Sequence, residues 1–178
     1  MIWITPQSRL DETLARSGAR HVVVLVSDAE RFQRPNGIAP SALLLLELND
    51  ISEPRPGLIL PEPSHVEALL GFDRALPDGV ALAICCYAGI SRSTAAAYIL
   101  ACAREPATSE QELAAGLRAK SPSATPNIRL VTLADEILDR DGRMRAAILG
   151  IGRGRDAFEG TPFCMGPSPN PKADQPTP

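Results

Sequence analysis

Residues 21–27, HVVVLVS, constrain the fold of this chain more than any other segment. Four valines and one leucine stand between the histidine and the serine, with no polar residue among them. β-branched residues favour strands, and a strand with water on one face alternates apolar and polar side chains. A strand that is apolar on both faces has to be covered from both sides. The segment therefore predicts a sheet with helices packed on each face.

Segments with helical patterns separate this strand from the other apolar runs. Residues 8–18 are expected to form a helix with Ser8 as its N-cap and Gly18 as its stop, and Ser64 is expected to open another helix. Residues 41–48, SALLLLEL, fit a strand or part of a buried helix, and their shortness and turn-rich flanks favour the strand. The predicted strands are 3–6, 21–27, 41–48 and 79–85, and the predicted helices are 8–18, 64–76, 91–105, 109–120 and 127–142.

The alternation of strands and helices is typical of the α/β class. We expect a three-layer sandwich with a central, mostly parallel sheet of about four strands flanked by helices. A chain of 178 residues suits one such domain, which we place at 1–149. Residues 150–178 are rich in glycine and proline, so we expect a C-terminal tail that is poorly ordered unless it docks. Ser109 and Glu112 predict a capping box at the start of one of the later helices.

Composition limits the partners and the location of the protein. A formal net charge of -3 gives no general attraction to nucleic acid or to anionic membranes. No apolar run approaches the ~20 residues of a membrane span, and the first residues lack the basic and apolar regions of a signal peptide. We therefore expect a cytoplasmic protein. The four cysteines and two histidines have no metal-type spacing, so we expect free thiols and no bound metal.

The sequence CYAGISRS follows an apolar strand and precedes a buried helix. In a tight turn of this kind, backbone N–H groups and the positive end of the helix form a cradle for an anion. Gly89 allows the positive φ that points these donors inward, and the planar guanidinium of Arg92 can hold two phosphate oxygens. The same field favours a thiolate at Cys86, which makes this residue a nucleophile, and Ser93 can aim its hydroxyl at the sulfur. The predicted phosphate loop comprises Tyr87, Ala88, Gly89, Ile90, Ser91 and Arg92.

The arrangement Cys86-x5-Arg92-Ser93 resembles the signature of the protein tyrosine and dual-specificity phosphatase superfamily, and the order of elements over about residues 20–142 is similar as well. Small bacterial members of the dual-specificity group look closest, through the patterns GISRSTAAA and PN…LADEIL. The resemblance implies a phosphomonoester hydrolase that needs no metal or cofactor and forms a phosphocysteine intermediate. It also implies a phosphorylated protein, with phosphotyrosine as the default, or a small phosphomonoester as the substrate.

Cleavage of a phosphomonoester requires an acid that protonates the leaving oxygen. The resemblance implies an aspartate on a loop before the cysteine. Asp50 and Glu53 lie in a proline-rich loop, and Asp28 follows the strand at 21–27. Asp50 is preferred because it comes at the C-terminal end of a predicted strand, where open α/β sheets bind ligands. His65 is expected to be a solvated residue in the first turn of a helix and not a catalytic base.

Two features of the motif bear on activity and substrate. Cys85 stands where members of the family usually have a histidine that supports the loop, so the resemblance implies altered tuning of the nucleophile and reduced activity. Cys85 is otherwise expected to be a small strand residue. Between Cys86 and Arg92 there is no lysine or arginine, which disfavours polyphosphoinositide substrates because a multiply charged head group needs extra cations.

Two other functions fit the same residues. A phosphate-binding module that has lost catalysis is suggested by Cys85 and by the choice between several acids. Thiol redox regulation or sulfur transfer would use Cys86 together with Cys85 or Cys102. Adjacent cysteines rarely form an unstrained disulfide, and Cys102 falls in the middle of a predicted helix.

Overall fold

The computed structural model describes residues 1–166, which form five strands, six α-helices and two short 3-10 helices. The strands are β1 (Ile2–Pro6), β2 (His21–Val26), β3 (Leu43–Glu47), β4 (Leu82–Cys86) and β5 (Phe163–Met165). The α-helices are α1 (Leu10–Ser17), α2 (Pro63–Arg74), α3 (Arg92–Arg104), α4 (Glu110–Lys120), α5 (Ile128–Ile137) and α6 (Arg143–Ile151), and the 3-10 helices are Gln7–Arg9 and Pro40–Ala42. Within this part of the chain, no helix is long and apolar enough to cross a membrane.

The strands form one sheet in the order β3-β2-β4-β1-β5. The four strands predicted from the sequence are all parallel, and β5 pairs antiparallel with β1 at the edge. This confirms the mostly parallel sheet and adds one strand to it. β5 was not predicted because it is only three residues long and lies in a segment rich in glycine and proline.

The two faces of the sheet are covered by different helices. On one face, side chains of α2 to α6 form the larger apolar cluster, which includes Cys86. On the other face, α1 and the segment after β2 cover a smaller cluster, which includes Cys85. Successive residues of a strand point to opposite faces, so these adjacent cysteines belong to different layers of the core. The three-layer sandwich is therefore confirmed.

Helix α3 passes through the centre of the larger cluster. Of its 13 residues, all from Arg92 to Cys102 are buried. A helix surrounded on all sides has to be apolar or small around its whole circumference, which explains the run of alanines. Its largest buried side chain is Tyr98, whose hydroxyl donates to the carbonyl oxygen of Glu110 at 3.1 Å and so ties α3 to α4.

Of the four predicted helix caps, two are confirmed and two are wrong. Gly18 adopts a left-handed conformation with φ 67° after α1, and Ser109 and Glu112 form the predicted capping box. Ser8 is not an N-cap, because a 3-10 helix precedes α1 and the Ser8 hydroxyl donates to Glu159 instead. Ser64 does not open α2.

The helix that Ser64 was expected to open begins one residue earlier, at Pro63, with Glu62 as its N-cap. Proline is favoured at the first position of a helix because it has no N–H to leave unpaired. The carboxylate of Glu62 accepts from the backbone of His65, and Nδ1 of His65 accepts from the backbone N–H of Glu62 at 3.0 Å. His65 is therefore a first-turn capping residue.

The C-terminal part of the domain differs from the prediction. The helix predicted at 127–142 ends at Ile137, and a turn with two aspartates at φ 51° and Gly142 at φ 81° leads into α6. The predicted boundary after residue 149 has to be corrected, because it falls inside α6 and because β5 belongs to the sheet. The remainder of the predicted tail, 167–178, lies outside the described residues.

Candidate active site

The CYAGISRS motif lies at the carboxyl edge of the parallel sheet, between the end of β4 and the start of α3. Cys86 is the last residue of the strand and is 2% exposed, and Arg92 is the first residue of the helix and is 6% exposed. The structure therefore places the two predicted phosphate-site residues, both buried, at the two ends of one short loop.

Four carbonyl groups of this loop accept hydrogen bonds from backbone N–H groups outside it. The bonds are Gln7 to Tyr87 (3.3 Å), Gly160 to Ala88 (2.8 Å), Thr125 to Ile90 (2.9 Å) and Asn127 to Ser91 (3.3 Å). In a planar trans peptide, the N–H points away from the carbonyl of the preceding residue. Carbonyls that face outward thus leave the following N–H groups facing inward, which is the arrangement an anion requires.

Gly89 meets two requirements at once. Its φ is +68°, a conformation that L side chains rarely adopt. A Cβ at this position would lie 2.6 Å from the backbone nitrogen of Pro6 and 2.9 Å from the carbonyl carbon of Thr5. The loop therefore packs directly on the end of β1, and only glycine fits at this point.

The sulfur of Cys86 and the hydroxyl of Ser93 lie 3.1 Å apart, and the Ser93 side chain is fully buried. When the sulfur is a thiolate, the hydroxyl can only donate to it. Ser93 is thus placed where the sequence analysis expected it, within reach of the nucleophile that it would stabilise as a leaving group.

Arg92 reaches across the carboxyl ends of the neighbouring strands. Its Nη1 donates to the carbonyl oxygen of Leu48 at 2.9 Å, after β3, and to the hydroxyl of Ser27 at 3.1 Å, after β2. Its Nε is buried and has no hydrogen-bond partner among residues 1–166. A buried guanidinium with one edge held by the protein and an N–H left over is suited to bind an oxyanion.

Asp50 is the acidic residue that the structure joins to the phosphate loop. Its Oδ1 accepts from the hydroxyl of Ser91 at 2.7 Å and from Nδ2 of Asn127 at 2.8 Å. Asp50 itself is exposed, so its carboxylate lies at the surface of the site. Of the alternatives, Glu53 is also exposed, and Asp28 forms an ion pair with Arg31 at 3.0 Å.

Asn127 is a site residue that the sequence analysis did not assign. In addition to Asp50, its Nδ2 contacts the carbonyl oxygen of Ile51 at 3.3 Å, while its Oδ1 caps α5 by accepting from two backbone N–H groups. The dipeptide Pro-Asn before a helix indicates an N-cap. Nothing local indicates that the amide nitrogen of the same side chain meets a residue 77 positions earlier.

Cys85 and Cys102 are buried free thiols, like Cys86. Cys85 points into the opposite layer of the core, and burial raises its pKa well above the usual range of a thiol. Burial also raises the pKa of Cys102 to about 12. Both are therefore neutral thiols at physiological pH. In residues 1–166, no group of three or more His, Cys, Asp and Glu side chains is arranged to hold a metal ion.

A cavity of about 440 Å³ opens beside the phosphate loop. Its lining is mixed in charge and polarity and includes Arg92, the Asp28–Arg31 pair, Phe32 and Tyr87. Phe32 and Arg31 come from the segment after β2, so this segment forms the outer wall of the site. The cavity is large enough for the part of a substrate that carries the phosphate.

Solved structures with a similar fold include dual-specificity phosphatases and a protein described as tyrosine phosphatase-like. The alignment with DUSP15 covers 84% of this chain and 90% of the DUSP15 chain, with a TM-score of 0.61 and 16% sequence identity. The alignment with human DUSP28 covers 78% of this chain and 88% of the DUSP28 chain, with a TM-score of 0.58 and 19% sequence identity. The alignment with the human tyrosine phosphatase-like serine/threonine/tyrosine-interacting protein covers 79% of this chain and 92% of that protein's chain, with a TM-score of 0.58 and 20% sequence identity. In sequence, the chain matches no family model and no curated protein. The fold is thus that of these phosphatases.

Proposed function

We propose that this protein is a phosphomonoester hydrolase, a protein tyrosine or dual-specificity phosphatase that acts through a phosphocysteine intermediate. The observation that carries the proposal is the phosphate loop. Its carbonyls are bonded outward, Arg92 closes it, and the sulfur of Cys86 lies at its base 3.1 Å from the hydroxyl of Ser93. These groups together supply a nucleophile and a cradle for the equatorial oxygens of a phosphoryl group.

In the first step, the Cys86 thiolate attacks phosphorus, an S–P bond forms and the P–O bond to the leaving group breaks. Arg92 and the inward N–H groups of the loop stabilise the charge on the three other oxygens. Asp50, in its protonated form, donates its proton to the leaving oxygen. Both hydrogen bonds of Asp50 are accepted by Oδ1, which orients Oδ2 as the oxygen that would carry the proton.

In the second step, the Asp50 carboxylate takes a proton from water, the water oxygen attacks phosphorus and the S–P bond breaks. The hydroxyl of Ser93 donates to the sulfur as the thiolate leaves. Inorganic phosphate and the free Cys86 thiolate are the products. No metal or cofactor takes part in either step of this proposal.

The proposed substrate is a phosphorylated protein, with phosphotyrosine as the preferred residue, or a small phosphomonoester. The phosphate loop contains no cation besides Arg92, although Arg31 lines the adjoining cavity. One arginine at the phosphate and one at the wall suit a single phosphate group better than a head group with several.

A second candidate is a phosphate-binding module without turnover, which Cys85 favours. This buried thiol belongs to the opposite core layer, and it stands where the resembling phosphatases usually have a histidine behind the loop. Such a module would bind phosphopeptides through the same loop and leave the phosphate in place.

The test is hydrolysis of para-nitrophenyl phosphate, with EDTA present, by the wild type and by three variants. We expect Cys86→Ser to abolish turnover and Asp50→Asn to reduce kcat by about 100-fold, because a positioned acid typically contributes 10²–10⁴-fold. Cys102→Ala, a cysteine change outside the site, should retain wild-type turnover. Binding of a phosphotyrosine peptide by the wild type without hydrolysis would favour the binding module. Turnover by Cys86→Ser would contradict both the phosphocysteine mechanism and the binding module.

A further inference from the structure

The segment 154–160, which the sequence predicts to be part of a tail, is hydrogen-bonded to the loops around the candidate active site. At one end, the N–H of Gly154 donates to the hydroxyl of Thr125 at 3.0 Å and the N–H of Arg155 to the carbonyl oxygen of Pro122 at 2.9 Å. At the other end, the N–H of Gly160 donates to the phosphate loop. The segment therefore has a defined position beside that loop.

Between these two ends, the segment presents an aromatic ring to solvent. Phe158 is 86% exposed, and Tyr87 of the phosphate loop is 68% exposed. Both residues line one cavity of about 420 Å³, together with Gln7, Ser8, Ala88 and Glu159. Large apolar rings are normally buried, and exposed ones beside a cavity indicate a surface that a ligand covers.

Tyr87 lies between this cavity and the one that contains Arg92, since it lines both. A substrate whose phosphate sits in the loop and whose chain extends past Tyr87 enters the second cavity. Neighbouring side chains of an extended peptide are ~3.3 Å apart along the chain, so one residue can lie at the phosphate and another in the second cavity. The occupant is thus the substrate itself.

The lining favours an apolar side chain over a charged one. The two rings are apolar, and the carboxylate in the lining, that of Glu159, already accepts a hydrogen bond of 2.7 Å from the hydroxyl of Ser8. We propose that Phe158 and Tyr87 form a subsite for an apolar side chain that flanks the phosphorylated residue of a peptide substrate, an inference that rests on the proposed phosphatase function.

The test compares three phosphotyrosine peptides that differ only in the residues flanking the phosphotyrosine, which are leucine, glycine or lysine. We expect the wild type to hydrolyse the leucine peptide with a kcat/KM about tenfold above that of the glycine peptide, since burial of one apolar side chain is of this order. In Phe158→Ala, the ratio of kcat/KM for the leucine peptide to kcat/KM for the glycine peptide should fall towards one. Leu149→Ala, which removes an exposed apolar side chain of α6, should leave the ratio at its wild-type value.

Equal kcat/KM values for leucine and glycine in the wild type would overturn the subsite, and a preference for lysine would overturn its apolar character. Turnover of para-nitrophenyl phosphate reports on the proposed function separately. If the wild type fails to hydrolyse it, the same three peptides are compared by fluorescence anisotropy. Tighter binding of the leucine peptide, lost in Phe158→Ala, would still support the subsite, and equal binding would exclude it.

Discussion

The two loops that meet at the site are held in different ways. The phosphate loop runs between the buried residues Cys86 and Arg92, and four backbone N–H groups from three other parts of the chain donate to its carbonyls. The loop that carries Asp50 is exposed over most of its length, and side chains of Ser91 and Asn127 hold the carboxylate. The shape of the phosphate cradle therefore depends on main-chain packing, whereas the position of the acid depends on two side chains.

The two loops are joined by the hydrogen bond from Ser91 to Asp50 and also by the guanidinium of Arg92. Its Nη1 bonds to the carbonyl oxygen of Leu48, directly before the acid loop. Arg92 is thus part of the cradle and also fixes the point at which the acid loop leaves the sheet. Substitutions at this residue should therefore damage both regions.

Among the substitutions that distinguish the two loops, Arg92→Lys has the largest expected effect. Lysine retains the charge but has no planar pair of donors, so it cannot hold the phosphate and Leu48 together. We expect kcat/KM for para-nitrophenyl phosphate to fall by about 10²–10³-fold, the usual effect of removing a donor to a transition-state oxyanion. A variant within tenfold of the wild type would contradict the role of the guanidinium.

Gly160→Ala should distort the phosphate loop and leave the conformation of the acid loop unchanged. A Cβ at Gly160 would lie 2.9 Å from the carbonyl oxygen of Gly89, so the phosphate loop or the C-terminal segment has to shift. We expect a loss of about tenfold in kcat/KM for para-nitrophenyl phosphate, with the circular dichroism spectrum unchanged, because small displacements of catalytic groups cost this much or more.

Gly150→Ala is the matched control for this substitution. Gly150 lies in α6, and a Cβ there meets nothing within 4 Å. The variant should retain full activity and gain up to about 1 kcal/mol in the free energy of unfolding, because alanine is the better helix former. Equal losses of activity in the two glycine variants would show that the contact with Gly89 is not the cause.

Asn127→Asp should displace the acid and leave the phosphate loop intact. Aspartate can still cap α5, but it cannot donate to Asp50 and repels its carboxylate. We expect kcat for phenyl phosphate, whose leaving group needs a proton, to fall about tenfold and kcat for para-nitrophenyl phosphate to fall less. An equal loss with both substrates would contradict a role in positioning the acid, and thermal unfolding would report any loss of the cap.

The smallest effect on activity is expected for a change remote from both loops. Glu110 is buried beside Arg140 and Arg143, each 3.3 Å away. Burial by itself raises the pKa of Glu110, but hydrogen bonds from its backbone and from Arg143, with the charges of both arginines, outweigh burial and lower the pKa. A carboxyl with a lowered pKa stabilises the fold above its unfolded pKa of ~4.3. This stabilisation is lost as the pH falls through the pKa of Glu110 in the folded protein.

Glu110→Gln should therefore reduce the free energy of unfolding by about 1 kcal/mol at pH 7 and leave kcat/KM unchanged. The difference from the wild type should shrink between pH 5 and pH 3, as urea unfolding at several pH values would measure. A difference that is constant over this range would indicate that the ionised carboxylate does not contribute.

Four of the five strands, the buried central helix and the loop from Cys86 to Arg92 could be predicted from the sequence. Each of these is a local pattern. Runs such as HVVVLV can be buried only as a strand covered on both faces, and the spacing from Cys86 through Gly89 to Arg92 lies within one turn between a strand and a helix. Gly89 was expected to need a positive φ, and its close approach to Pro6 supplies a further reason for glycine that the sequence could not reveal.

The contacts that complete the site could not be predicted, because they join residues far apart in the chain. Asp50 was preferred among three acids by its place after a strand, and its bond with Asn127 joins residues that are 77 positions apart. Gly160 and β5 also lie in a segment with the composition of a tail. Their positions are fixed by tertiary contacts, since Gly160 bonds to Ala88 and β5 pairs with β1. Such contacts depend on which surfaces the folded core brings together, and short segments without periodic apolar residues carry no local signal of that pairing.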